Sequence, residues 1–172
     1  MRLVPVSLDP PPGLEEVLRQ LGHGENGFVG TGQPVDTSTL SSYLRGPVDM
    51  ADGVNLKPGW VPTTTYWLLD DAGDVACVSR LRHRLTQALI EDGGHIGYYV
   101  RRSERGKGYG TAILRLVLVE ACKLGIDRAL LTVDSDNAPS IRVIESNGGK
   151  LEDERTDPET GGFYRRYWID LS

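Results

Sequence analysis

Arg105-Gly106-Lys107-Gly108-Tyr109-Gly110 is the segment of this chain whose residue types and spacing most readily do chemistry. It stands between an apolar run ending at Val100 and a long apolar stretch that begins at Thr111. A helix opened by glycines leaves its first amides without partners and aims them along the positive end of its dipole. With no side chains in the way, those amides can close around a phosphate or diphosphate. Arg105 and Lys107 add positive charge at the same mouth. A plain turn needs one glycine rather than three. The dinucleotide fingerprint needs G-x-G-x-x-G, whereas Thr111 stands where its last glycine would be. The phosphate loop G-x-x-x-x-G-K-[ST] is absent as well.

The elements around this turn read as alternating strands and helices. Strands are expected over Thr64 to Leu69 and Val75 to Leu85, joined by a turn at Asp70 to Asp74, and over His95 to Val100 after Asp92-Gly93-Gly94. A helix over Gly108 to Leu124, apolar nearly all round, is closed by Gly125. The strand Ala129 to Val133 follows. Then comes a helix over Asn137 to Ser146, with Asn137 as cap and Pro139 in its first turn. Strands Lys150 to Arg155 and Phe163 to Leu171 make a hairpin across Asp157 to Gly162. The first 62 residues are less regular. They offer a short strand at Leu3 to Ser7, a helix over Leu14 to Leu21 and a glycine-rich loop from Gly22 to Gly32. A second helix is expected over Thr37 to Arg45, capped by Asp36 or Thr37 and stopped by Gly46-Pro47, with a long loop to Pro62. This order describes a mixed α/β sheet whose strands on either side of the Gly108 helix run side by side.

Composition narrows the classes. A chain of 172 residues fits one domain with one real core, and 39% hydrophobic with 25% charged residues is ordinary for a folded protein. A net charge of −5 argues against a nucleic-acid binder and mildly favours a cationic or amine partner. Cys77 and Cys122 fall in apolar runs with no histidine at ligand spacing, so both read as buried free thiols and no metal site is expected. With no signal-like or membrane-length apolar segment, a cytoplasmic location is expected and no membrane partner.

Arg105 to Gly110 resembles the [QR]-x-x-G-x-[GA] signature of the GNAT acetyltransferase superfamily, placed after a strand as in that family. The likeness runs from about residue 63 to 170, through Leu131-Thr132-Val133 and the Asn-capped helix at Asn137-Ala138-Pro139-Ser140. Gly94-His95-Ile96-Gly97-Tyr98 and Val143 to Gly149 look like a bacterial branch of acetyltransferases. The resemblance implies a single domain, with residues 1–62 on the substrate side and 63–172 binding acetyl-CoA. It implies a mixed, mostly antiparallel sheet of about seven strands with a splayed parallel pair, flanked by about four helices. By position, the amides of Arg105, Gly106, Lys107, Gly108, Tyr109, Gly110 and Thr111 would hold the pyrophosphate of acetyl-CoA. The backbone of Tyr98, Tyr99 and Val100 would pair with the pantetheine arm, and Asn137 and Ser140 would touch that arm from the far side.

Acetyl transfer to an amine requires a free amine, a polarised thioester carbonyl and a proton for the leaving thiolate. Many family members carry a tyrosine for the last task seven residues after the Asn; here that position is Ile144, which has no proton to give. Tyr98, Tyr164, Ser140 or water can substitute, or the thiolate leaves unassisted. For the base, His95, His83 and Glu145 are the candidates. Strand alternation lets His95 or Tyr98 face the thioester but not both, unless the strand carries the bulge common in this family. Trp60 and His83, with Tyr43 and Arg45, are candidates for the amine pocket. The implied reaction is direct transfer to a small-molecule or peptide amine in a ternary complex. A non-catalytic acyl-CoA-binding sensor of the same fold is the alternative, and an apolar last strand, Phe163 to Leu171, leaves a homodimer open. His95→Ala is expected to lower turnover of a good amine substrate; full activity across neutral pH would remove His95 from the mechanism.

Overall fold

The computed structural model describes residues 1–172 apart from Gln33, Pro34, Thr37 and Glu159. Its elements run β1 (Arg2–Pro5), α1 (Leu14–Leu21), β2 (Gly24–Glu25), β3 (Phe28–Val29), α2 (Leu40–Ala51), β4 (Thr63–Leu69), β5 (Val75–Arg82), α3 (Gln87–Glu91), β6 (Ile96–Val100), α4 (Tyr109–Lys123), β7 (Arg128–Asp134), α5 (Ala138–Ser146), β8 (Lys150–Thr156) and β9 (Phe163–Asp170). The strands form a four-stranded sheet, β1-β4-β5-β6, a three-stranded sheet, β7-β9-β8, and the small β2-β3 hairpin. Every pairing within these sheets is antiparallel.

The cores follow from strand alternation. In β4, Tyr66 and Leu68 face a core shared with α4 and α5, while Trp67 and Leu69 face a second core built with α1 and α2. Both faces of the strand are covered, which explains its unbroken apolar run. Leu14, Val17, Leu18 and Leu21 form the buried stripe of α1, at the spacing the sequence predicted. In α4, Ile113, Leu114, Val117, Leu118 and Ala121 are buried, so the helix packs on more than one side.

Three expectations about local structure are corrected. The stretch from Gly22 to Gly32 contains a hairpin, because Asn26 and Gly27 both adopt positive φ (49° and 76°), the pair of conformations a tight two-residue turn demands. Helix α2 does not stop at Gly46-Pro47 but runs to Ala51 with Pro47 inside it. Proline's φ is already helical, and Leu40 and Leu44, buried in the second core, hold the segment in place. The expected start of this helix at Thr37 lies outside the described residues. A short helix, α3, fills the gap before β6; the Leu89 amide donates to the Thr86 hydroxyl at its start. Cys77 is buried as expected, but Cys122 is exposed on the outer side of α4.

Strands β6 and β7, joined through α4, lie at facing edges of the two larger sheets. They touch where the His95 amide donates to the Leu130 carbonyl at 2.7 Å, and from that point no ladder joins them. Gly94, just before this vertex, has a φ of +58°, and a Cβ there would sit 2.3 Å from the Leu130 carbonyl oxygen. Gly94→Ala is therefore expected to cost roughly 2–4 kcal/mol of stability by chemical denaturation, since both strain and a backbone clash are imposed. A loss below about 1 kcal/mol would show that the vertex gives way easily.

Candidate active site

The gap between β6 and β7 opens into a cleft of about 840 Å³. Its walls are β6 from Ile96 to Tyr98, β7 from Leu131 onward with the loop to Asn137, and one face of α5 at Ser140 and Ile144. The hairpin residues Asn26 to Val29 close another side, as do Asp92-Gly93 and the loop before β9. Because β6 and β7 each end a sheet, the backbone groups on their facing edges have no ladder partner past the vertex. Two open edges facing one gap are a setting for an extended ligand to add itself as a strand.

The glycine turn stands at the start of the 15-residue α4. The Arg105 amide is engaged by the Arg102 carbonyl at 3.4 Å, and the first amide bonded back into the helix is that of Ala112. Between them, the amides of Gly106, Lys107, Gly108, Tyr109, Gly110 and Thr111 have no hydrogen-bond partner among the described residues. Gly106 and Gly108 hold φ of +75° and +84°, and nothing lies within 4 Å of where a Cβ would be. Gly110 serves a different purpose: a Cβ there would lie 3.2 Å from Val143 and 3.7 Å from Val100, so its absence lets α4 approach β6 and α5 closely. The cations of this segment are not the loose positive charges expected from sequence. Arg105 grips Glu25 with both terminal nitrogens, at 2.9 and 3.0 Å, and Lys107 pairs with Glu104 at 3.1 Å. What the turn itself leaves open is a set of backbone dipoles.

Tyr98, Asn137 and Ser140 come together on the cleft. Asn137 caps α5, accepting from the Ser140 amide at 3.2 Å. Tyr98 reaches across the gap from β6, and its hydroxyl donates to the Ser140 carbonyl at 3.5 Å, one helical turn before Ile144. Burial pushes the Tyr98 phenol up to about 12, so it is protonated at neutral pH. Strand β6 keeps continuous register with β5, with no bulge along that pairing. Tyr98 accordingly faces the α4 and α5 side, and Tyr99 packs into the second core.

Tyr164 also lines the cleft, its hydroxyl donating to the Glu91 carbonyl at 3.1 Å, whereas the base and amine-pocket candidates lie outside the lining. His95 is buried, and its Nδ1 accepts the Leu130 amide at 3.0 Å. That bond places the ring proton on Nε2, so neither nitrogen has a free lone pair for a substrate. Burial first, then the charge of Arg82, lowers its pKa to about 4. His95 is thus corrected from base to pin of the β6–β7 vertex. Glu145 is exposed and accepts from the Tyr167 hydroxyl at 3.2 Å. His83 shares a 2.8 Å hydrogen bond with Thr64, and Trp60 is half exposed beneath the Lys57 ammonium. Tyr43 packs against the second core, and Arg45 is exposed.

Sequence reasoning missed the carboxylates of the cleft. Asp92, Asp134, Asp136 and Asp157 all line it, and the Asp134 pKa is raised by desolvation and then by Asp136, Asp92 and Asp157. These residues come from three separate segments, and only the pair Asp134 and Asp136, at the end of an apolar strand, was a local signal. The hairpin wall was legible in the Asn26-Gly27 turn.

The family model of the acetyltransferase (GNAT) domain matches residues 47–150, more than half of the chain. The chain belongs to the GNAT acetyltransferase family. As a member it is an acetyl-CoA-dependent acyltransferase, and the open amides beside two unpaired strand edges fit that cofactor. No curated protein matches the chain. Among solved structures, an N-acetyltransferase from Staphylococcus aureus is similar over 99% of this chain and 98% of its own, with a TM-score of 0.68 at 15% identity. The yncA protein of Salmonella typhimurium, solved with its cofactor acetyl-CoA, is similar over 100% of this chain and 94% of its own, with a TM-score of 0.68 at 15% identity. A spermidine N-acetyltransferase from Vibrio cholerae is similar over 99% and 95%, with a TM-score of 0.66 at 12% identity. At these identities the likeness is one of fold. Among the described residues, no helix is long and apolar enough to cross a membrane.

The buried state of His95 has a pH signature. Its folded pKa lies below the unfolded value, so its contribution is complete above about pH 6.5 and is lost as pH falls toward 4. His95→Asn keeps an acceptor for Leu130 but does not titrate. Between pH 7 and 4 the unaltered protein should lose on the order of 3 kcal/mol more stability than His95→Asn, followed by urea unfolding. Parallel losses would show that His95 is not held neutral in the fold.

Proposed function

We propose that this protein transfers the acetyl group of acetyl-CoA directly to a cationic small-molecule amine in a ternary complex. The run of six partnerless amides from Gly106 to Thr111, opening beside the β6 edge, is the observation that carries the reading. These amides would hold the pyrophosphate, the β6 edge from Tyr98 to Val100 would pair with the pantetheine arm, and Asn137 and Ser140 would flank it. Bound acetyl-CoA supplies an activated acetyl thioester. The acetyl-CoA in the Salmonella structure and the spermidine in the Vibrio enzyme's name support the donor and the acceptor class by analogy.

Proton traffic is assigned to groups that face the cleft. Tyr98 Oη is protonated and stands over α5 beside Ser140, so it is the donor for the departing thiolate in place of the missing tyrosine at Ile144. Asp134 is the proton acceptor for the incoming ammonium, because its raised pKa makes it a better base than an ordinary carboxylate. Asp92, Asp136 and Asp157 give the same wall a negative potential that favours a protonated amine over an anionic acceptor. His95 acts at a distance, through the vertex.

Acetyl-CoA titrated calorimetrically should bind the unaltered protein, and Gly108→Val, which puts a strained side chain into the amide cradle, should weaken binding at least about tenfold. Tyr98→Phe should lower kcat with spermidine about a hundredfold while acetyl-CoA binding changes little. Unchanged kcat would retire Tyr98 as the acid. Acetyl-CoA binding without thiol release on any amine would instead support an acyl-CoA sensor.

A further inference from the structure

The β2-β3 hairpin has only two residues in each strand, too few to stand alone, yet it forms one wall of the cleft. Its support comes from outside. Phe28 is buried, and its ring occupies the space that a Cβ on Gly97 of β6 would reach, at 3.3 Å. The Arg80 guanidinium lies 4.6 Å over that ring, and its Nη1 donates to the Val29 carbonyl at 2.7 Å. These contacts hold the β3 side. The β2 side is held at Glu25, by Arg105 and, more distantly, Arg102.

Arg105 is committed on three sides. Nη1 and Nη2 donate to the two Glu25 oxygens, Nε donates to the Val100 carbonyl at 3.2 Å, and the guanidinium lies 5.5 Å over the Tyr99 ring. Arg102 stands 3.6 Å from Glu25 as a second cation. A planar fork in a bidentate carboxylate pair, with its third nitrogen on a strand carbonyl, is fixed in direction as well as charge. Its hydrogen bonds join the end of β6 to the hairpin.

We infer that Arg105 is a positioning residue for the amine-binding wall, a strut that ties the cofactor turn to the β2-β3 hairpin, and not a ligand of the cofactor's phosphates. This rests on the proposed function, with residues 1–62, the hairpin among them, taken as the substrate side as the family resemblance implies. Glu25 is then the matching specificity determinant. The first position of the signature hexapeptide would thus serve the acceptor, while the glycines and amides behind it serve the donor.

Glu25→Gln, Arg105→Lys and Arg105→Ala separate the two roles, with acetyl-CoA affinity read by calorimetry and spermidine as the amine. Lysine keeps the charge but not the fork. A strut predicts that Glu25→Gln and Arg105→Lys each raise the KM for spermidine about tenfold, with kcat and the acetyl-CoA Kd within about twofold. If Arg105→Ala weakens acetyl-CoA tenfold while Arg105→Lys and Glu25→Gln change nothing, Arg105 is a phosphate ligand and the inference is overturned. Hydrogen exchange over residues 22–31 without any ligand tests the strut independently of function. Faster exchange in Glu25→Gln and in Arg105→Lys supports it even if the unaltered protein binds no acetyl-CoA or turns over no spermidine, an outcome that would defeat the functional reading alone. Unchanged exchange in both overturns the strut.

Discussion

One contact sets the shape of everything that matters in this molecule: the reciprocal bonding of His95 and Leu130. The His95 amide donates to the Leu130 carbonyl, and the Leu130 amide donates back to the His95 ring. Had the ladder continued, β6 and β7 would be ordinary neighbours in one sheet, and there would be no gap. A side-chain acceptor in place of the next backbone carbonyl ends the ladder after a single link. The two sheets are thereby held together at a point and left to diverge, and each exposes an edge to the space between them.

That divergence leaves polar backbone open along the cleft. The strand edges supply donors and acceptors in a row, and the glycine turn at the head of α4 supplies six more donors converging from one end. Side-chain charge has been withdrawn from the same region. Glu25 and Glu104 take up Arg105 and Lys107, so the turn offers fixed dipoles rather than mobile ammonium and guanidinium groups. Fixed donors need no reordering when a ligand arrives, which is the physical advantage of building an anion site from main chain. The acidic groups lie elsewhere on the cleft, where Asp134 feels three neighbouring carboxylates.

The vertex also gives the family membership a structural meaning. The family match spans residues 47–150, which takes in β6, the glycine turn, α4 and β7, the parts that build the gap. The hairpin at residues 24–29 and most of the carboxylate-bearing loop before β9 lie outside that span.

What the sequence by itself determined was local and backbone-driven. The glycines from 106 to 110, the Asn137 cap, the apolar stripe of α1 and the alternation of strands could be read from residue types, because each depends on φ preferences or on a period within one element. What only the tertiary structure decided was where side chains from distant segments end up. His95 read as a base because its intrinsic pKa suits one, yet burial and the Leu130 amide, 35 residues on, leave it neither lone pair nor charge. The Arg105 side chain read as positive charge beside the glycine turn, whereas Glu25, 80 residues before it, takes up its fork. Ion pairs, desolvation and the meeting of four aspartates are properties of space rather than of sequence neighbours, so no window along the chain contains them.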